Sequence, residues 1–189
     1  MNEISAEIGL EIEYETSGEA MELNLVEIFL AYQSRLRRIV AGMGLNAADS
    51  EDVLQNVSVK AMQNTNQFET KHDGLKWLVK VTVNECLAEH RRRKSFKKNA
   101  NEILERKSQI QINSSDKNAI AAEELEIVRQ SLKKLDENLL GPVVLYYFSD
   151  MSSSEISEVL EQNPSTIRGR LRDARMILAK ILLARGVKP

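Results

Sequence analysis

The sequence predicts an all-α fold of two small helical domains joined by a flexible linker. Three observations carry this. Apolar residues recur at three- and four-residue spacing through residues 22–95 and again from residue 123, the period of a helix with one buried stripe. Only three prolines (Pro142, Pro164, Pro189) and eight glycines interrupt 189 residues, and both residue types disfavour helix interiors. Between the two periodic blocks, residues 96–122 are rich in Asn, Ser, Lys and Gln and poor in bulky apolar side chains, so they have little to contribute to a core.

Taken in order, residues 1–21 are an acidic extension. Ile8 to Tyr14 partly alternates apolar and polar residues, which allows a short strand, but the composition favours an unstructured leader. Leu25, Ile28, Phe29, Tyr32, Leu36, Ile39 and Val40 then form one helical stripe, which Gly42 and Gly44 end. Asp49 or Ser50 is the expected cap of a second helix, with Val53, Leu54, Val57, Ala61 and Met62 inward. Gln63 to Asp73 reads as a polar loop. A third helix is expected from near Gly74, through Trp77, Leu78, Val81 and Leu87, into the basic run Arg91 to Lys94. The linker 96–122 has room for a short helix around Ile103. Leu125, Val128, Leu132 and Leu135 restore the helical period. Gly141-Pro142 breaks it, with Pro142 in the first turn of a new helix, Val143 to Phe148. Two more helices follow, Glu155 to Glu161 and Pro164 to about Leu183.

Composition narrows the function. Hydrophobic residues make up 42% of the chain, enough for packed cores, and no apolar run approaches a bilayer-spanning length. The N-terminus lacks the basic and apolar regions of a secretion signal. The single Cys86 excludes an intrachain disulfide and a cysteine metal cluster, and fits a reducing cytoplasm. His72 and His90 are the only histidines. No nucleophile–base set, phosphate loop or metal-ligand spacing accompanies them, so neither an enzyme nor a cofactor or metal site is expected.

The net charge of −2 hides a strong asymmetry. Residues 1–27 hold eight glutamates and no Lys or Arg; removing that −8 from the total of −2 leaves +6 over residues 28–189. Glu89 to Lys98 carries six Lys or Arg against one acid, and Pro164 to Pro189 carries seven against one. Local patches set the field that a polyanion meets.

Met151 to Arg175 is the most informative stretch. Ser152-Ser-Ser-Glu155 is a capping box, which satisfies exposed amides at a helix start. Ile156, Val159 and Leu160 point inward from a short helix, and Ser157 is small enough for a close helix crossing. Glu161-Gln-Asn163 makes the turn, Asn163 caps the next helix and Pro164 takes its first position. Ile167, Leu171, Ala174 and Leu178 line one side of that helix, while Arg168, Arg170, Arg172 and Arg175 crowd the other. A short helix, a tight turn and a basic helix place a recognition helix in the major groove, where Arg pairs with guanine or holds phosphates. A basic face on a generic bundle would explain the arginines alone, but not their combination with the cap and the turn.

These segments, together with Leu135-Asp-Glu137 and Val144-Leu-Tyr-Tyr-Phe148, resemble region four of the extracytoplasmic-function (ECF) sigma factors. The alignment is ungapped, although Asp136 stands for the usual proline and Glu161 for the usual turn glycine. The resemblance implies that Ser165, Thr166, Arg168 and Gly169 face the minus-thirty-five element, with Arg170, Arg172 and Arg175 mostly on phosphates. In the first half, Asp49-Ser-Glu-Asp-Val-Leu-Gln-Asn56 with Lys60-Ala61 is similar to the family helix that docks on the clamp of the polymerase largest subunit. The resemblance therefore implies a core-binding set of Asp49, Asp52, Gln55 and Asn56. Leu75-Lys-Trp-Leu-Val-Lys-Val-Thr-Val-Asn84 looks like the family segment that handles the melted minus-ten element. Asn84 would read a base edge, with Lys76, Trp77, Lys80, Arg91, Arg92 and Arg93 around the strand and His90 near its backbone. By residue type alone, Trp77 is a core residue, and the acids near residue 50 fit a helix N-terminus. The polar loop Gln63 to Asp73, with Asn64, Asn66, Gln67 and His72, could close over a flipped base.

The resemblance implies four segments: an acidic extension over 1–21, region two over 22–95, a linker over 96–122 and region four over 123–189. It implies a cytoplasmic transcription factor whose partners are core RNA polymerase (clamp helices and flap), promoter DNA and an anti-sigma factor, without membrane insertion. The main alternative is a helix-turn-helix regulator that binds duplex DNA without polymerase; it leaves the clamp-like helix and the Trp77 to Asn84 stretch unexplained. The eight-glutamate leader suggests a polyanion that competes with DNA for a basic face.

Overall fold

A computed structural model describes residues 24–64, 68–100 and 127–186, and every regular element among them is a helix. The elements are α1 (Leu25–Ala31), α2 (Gln33–Gly42), α3 (Ala47–Gln63), α4 (Lys71–Ala100), α5 (127–132), α6 (Glu137–Phe148), α7 (Ser153–Val159) and α8 (Pro164–Ala184). The acidic leader, Asn66, Gln67 and the Ile103 helix lie outside the described residues, as does most of the linker.

Helices α1 to α4 form a bundle around Leu36, Ile39, Val57, Leu78, Val79 and Val83, all buried. The single helix expected from Leu25 to Val40 is two, broken at Tyr32 (φ −106°, ψ 14°). The break leaves the apolar stripe intact: Leu25, Ile28 and Phe29 before it, and Leu36, Ile39 and Val40 after it, enter the same core. The cap of α3 is Asn46, not Asp49 or Ser50. Its side chain accepts from the Asp49 N–H at 2.8 Å, and Gly44 at φ +73° turns the chain into it.

Helix α4 starts before Gly74. Thr70 Oγ1 accepts from the Asp73 N–H at 3.1 Å and donates to the Asp73 carboxylate at 2.7 Å, which holds that carboxyl below its ordinary range. Gly74 is instead a packing residue, since a Cβ there would lie 2.7 Å from Ile28 Cδ1. The helical backbone continues past the basic run to Ala100.

The second half packs α6, α7 and α8 around Val144, Leu145, Ile156, Ile167 and Leu171. Gly141-Pro142 does not break α6, and Pro142 lies inside it. Proline removes one helical hydrogen bond. Burial of Leu140, Val143, Val144 and Leu145 around it compensates. Both turns leave their helix through a left-handed residue, Asp150 (φ 53°) after α6 and Glu161 (φ 51°) after α7.

The two halves sit side by side. A Cβ on Gly42 would stand 2.8 Å from the Phe148 ring, and one on Gly141 would stand 3.4 Å from Val83. Arg35 donates to the Ser149 hydroxyl at 2.7 Å and to its carbonyl at 3.1 Å. The buried residues of both halves form one continuous core cluster.

Candidate nucleic-acid interface

The α7–turn–α8 unit is built locally from its sequence. Ser152 Oγ accepts from the Glu155 N–H at 3.3 Å, and the Glu155 carboxylate accepts from the Ser152 N–H at 2.7 Å. These bonds complete the expected capping box and hold the Glu155 carboxyl below its ordinary range. The turn closes with Gln162 N–H donating to the Ser157 carbonyl at 2.9 Å. Asn163 caps α8 by accepting from the Ser165 N–H at 2.9 Å, with Pro164 next to it in the first turn.

Helix α8 buries Ile167, Leu171 and Ala174. The arginines expected on its open side divide. Arg168 is exposed and takes part in no ion pair or side-chain hydrogen bond among the described residues. Ser165, Thr166 and Arg172 are exposed too, and Arg172 pairs with Asp173 at 3.2 Å. Nothing lies within 4 Å of a Cβ built on Gly169, so this helix surface is open. Arg170 points instead into the molecule and donates to Gln162 of the turn. Arg175 donates to the Tyr147 hydroxyl at 3.0 Å and stacks 5.1 Å from the Tyr146 ring centroid. That bond raises the Arg175 pKa above its ordinary value. The two tyrosines that hold Arg175 have no signal in the sequence, because a contact between distant helices leaves no local pattern.

All seven residues expected at the minus-ten surface lie on α4. Lys76, Lys80, Asn84 and Arg91 recur near helical spacing and form one stripe, which faces α6 and α7. Asn84 is exposed at the rim of a groove that also contains Leu87, Gly141, Pro142, Leu160 and Arg170. Trp77 is half-buried against the core, its ring 6.1 Å from that of Phe68. Arg92 and Arg93 lie on other sides of α4: both pair with Glu89, and Arg93 also pairs with Asp49. His90 Nε2 donates to the Met43 carbonyl at 2.8 Å, a bond that ties α4 to the end of α2. His72 is exposed on the first turn of α4.

On α3, Asp52, Gln55 and Asn56 are exposed on one arc. Asp49 stands at its edge, half-buried and engaged by Arg93. The arc offers one free carboxylate and two amides, a polar docking surface. Among the described residues no cluster of His, Cys, Asp and Glu could hold a metal ion, and no helix is long and apolar enough to cross a membrane.

Known proteins resemble this chain in sequence and in fold. Residues 28–96 match the family model for sigma-70 region 2. The chain is 26% identical over 171 residues to the ECF RNA polymerase sigma-E factor of Escherichia coli K12, covering 87% of this chain and 88% of that protein. It is 25% identical over 158 residues to the ECF RNA polymerase sigma factor SigW of Bacillus subtilis, covering 80% and 84%. The fold also resembles the sigma factor RpoE solved in complex with the anti-sigma factor NepR from Bartonella quintana. The TM-score is 0.61 at 18% identity, over 82% of this chain and 94% of that one.

Proposed function

We propose, on the premise that the chain belongs to the ECF sigma factors, a subunit that binds core RNA polymerase, directs promoter-specific initiation and catalyses nothing itself. The observation that carries this reading is the pairing, in one chain, of an open basic recognition helix with a second helix whose cations and amide share one stripe.

Each half does different physical work. Residues 123–189 present α8 to the minus-thirty-five duplex, with Ser165, Thr166, Arg168 and Gly169 toward base edges and Arg172 on phosphate. Arg170, tied to Gln162, fixes the pose of the helix from inside, and Arg175, held by Tyr147, lies at its phosphate-contacting margin. Residues 22–95 handle the opened strand. An unstacked base exposes its Watson–Crick edge, and the Asn84 amide offers both a donor and an acceptor to it. Lys76, Lys80 and Arg91 run beside it along the strand path, and Trp77 underpins this part of α4 from the core. Arg92 and Arg93 add positive potential from the flanks of the helix.

Asp52, Gln55 and Asn56, with Asp49 at their edge, form the surface for the clamp helices of the polymerase largest subunit, while the second half meets the flap. Residues 96–122 span between the two promoter elements. The chain works in the cytoplasm, and an anti-sigma factor is the expected inhibitory partner.

A binding experiment tests the polymerase half of this reading. The wild-type chain should co-elute with bacterial core polymerase, and Asp52→Lys should reduce that association by tenfold or so, the loss typical of a reversed charge in a polar contact. A chain that binds duplex DNA but never core polymerase would instead be a helix-turn-helix regulator.

A further inference from the structure

The last turn of α6 carries two adjacent aromatic side chains on its outside. Val144 and Leu145 are buried and Phe148 packs on the core, whereas Tyr146 and Tyr147 retain 36% and 52% exposure. The two rings meet edge to face, with centroids 5.0 Å apart and planes at 73°. Arg175 of α8 lies over both. Its guanidinium carbon is 5.1 Å from the Tyr146 centroid and 5.9 Å from that of Tyr147, inside the range of cation–π attraction. Its Nε donates to the Tyr147 hydroxyl at 3.0 Å. Three contacts thus hold a long side chain that is otherwise exposed.

Arg168, Arg172 and Arg175 follow one another at four- and three-residue spacing and share one face of α8, the face assigned above to duplex DNA. Arg172 pairs with Asp173 at 3.2 Å, so an acid already meets part of its charge. The groups that favour the charged form of Arg175 are instead the two tyrosines. Arg175 stands seven residues beyond Arg168, roughly 10 Å along a helix that rises about 1.5 Å per residue. The major groove is about 12 Å wide. With the first turns of α8 at base edges, Arg175 reaches the groove wall, where the phosphates stand.

A phenol has one hydrogen to donate and two lone pairs. The Tyr147 oxygen accepts from Arg175, and its own hydrogen goes to no described residue. Accepting from a cation polarises that O–H and strengthens it as a donor. Arg175 commits only its Nε to Tyr147, so its Nη pair can grip a phosphate oxygen end-on.

We propose that Tyr147 is a DNA-contacting residue: its hydroxyl and the Arg175 guanidinium form one clamp on a backbone phosphate of the duplex, with Tyr146 as the platform beneath. This rests on the reading of α8 as the duplex-recognition helix. The clamp adds affinity for any sequence and fixes the register of α8 in the groove. A side chain held in place beforehand also gives up less freedom on binding than a loose arginine does.

The experiment uses the full-length chain and a labelled duplex that the wild type itself selects from random sequence. Fluorescence anisotropy reads affinity over a range of salt, and each backbone phosphate is replaced in turn by a neutral methylphosphonate. Tyr147→Phe keeps the ring and loses the hydroxyl. It should weaken binding about fivefold, the size of one hydrogen bond, at an unchanged salt slope because no charge is lost. Arg175→Gln should weaken binding about tenfold and lower the slope by about one. In the double variant the two losses should fall short of multiplying, since both groups act on one phosphate. One methylphosphonate should weaken the wild type, affect Tyr147→Phe less and leave Arg175→Gln indifferent. A tyrosine that only supported the fold would not move that pattern. Tyr147→Phe that binds like the wild type, or a loss that no single methylphosphonate reproduces, would overturn the clamp. Weaker association with core polymerase at intact duplex binding would make the tyrosine pair a protein-docking patch instead. A wild-type chain that selects no duplex would remove α8 as the recognition helix, and the clamp with it.

Discussion

Gly42 lies flat against the ring of Phe148, and a Cβ at position 42 would stand 2.8 Å from the ring's Cγ. The contact joins α2 to the end of α6, and so the first half of the molecule to the second. A methyl group there must displace an aromatic ring already packed on the core. Gly42→Ala should therefore lower stability by about 2 kcal/mol, the usual order for overpacking. Adding Phe148→Leu, which vacates part of the space, should recover some of that loss. Urea unfolding of the two variants checks this, and a loss that Phe148→Leu leaves unchanged would point to the α2 backbone instead.

The capping box of α7 makes a prediction with a pH sign. Ser152→Ala should cost about 1 kcal/mol. The Glu155 carboxyl is held below its ordinary range by Ser152. Its contribution is present above the ordinary carboxylate pKa of roughly 4.3 and is lost as pH falls through the lower folded value. The gap between wild type and Ser152→Ala should thus hold at neutral pH and narrow in acid. Thermal melts across that range measure it.

The α8 arginines should separate by role. Arg168 is exposed with no partner among the described residues, so Arg168→Ala should weaken binding to a minus-thirty-five duplex by roughly 1–3 kcal/mol. Arg170 is tied to Gln162 across the turn. Arg170→Ala should lower the melting temperature more than it lowers duplex affinity. Fluorescence anisotropy with a labelled duplex, beside a melting curve for each variant, distinguishes the two.

Cys86 is fully buried and its thiol is pushed up to about 12 by that burial. The protonated form is thus favoured in the fold, a contribution present below the ordinary thiol pKa and lost as pH rises toward the folded value. Alkylation at pH 8 should be slow in the native chain and rapid in denaturant. Fast native alkylation would mean that α4 opens locally around Cys86.

What the sequence made legible was local. Ser152 and Glu155 stand three residues apart, Asn163 and Pro164 precede an amphipathic run, and each signal is complete within one or two helical turns. The all-helical fold and the α7–turn–α8 unit follow from such signals. The break at Tyr32 has no signature in the sequence, because the apolar stripe runs through it unchanged. Gly74 looked like a helix start, and only the distant Ile28 side chain explains it as a packing residue. Pro142 looked like a helix breaker, and burial of its neighbours overrides that preference. On the interface, the resemblance names Lys76, Lys80, Asn84 and Arg91, and the structure sets them along one stripe of α4. The sequence could not show that Glu158 and Glu161 lie across from two of them, nor that Arg93 turns away toward Asp49, because contacts between distant segments have no period.

Run-off transcription tests the central reading most directly. Bacterial core polymerase would be given a random-promoter library with and without this protein. Initiation at defined sites should appear only when the protein is added and should be lost in both Arg168→Ala and Asn84→Ala, with each variant relaxing a different promoter element. Wild-type protein that binds core polymerase yet yields no specific start, or starts indifferent to both substitutions, would contradict a sigma factor working through these residues.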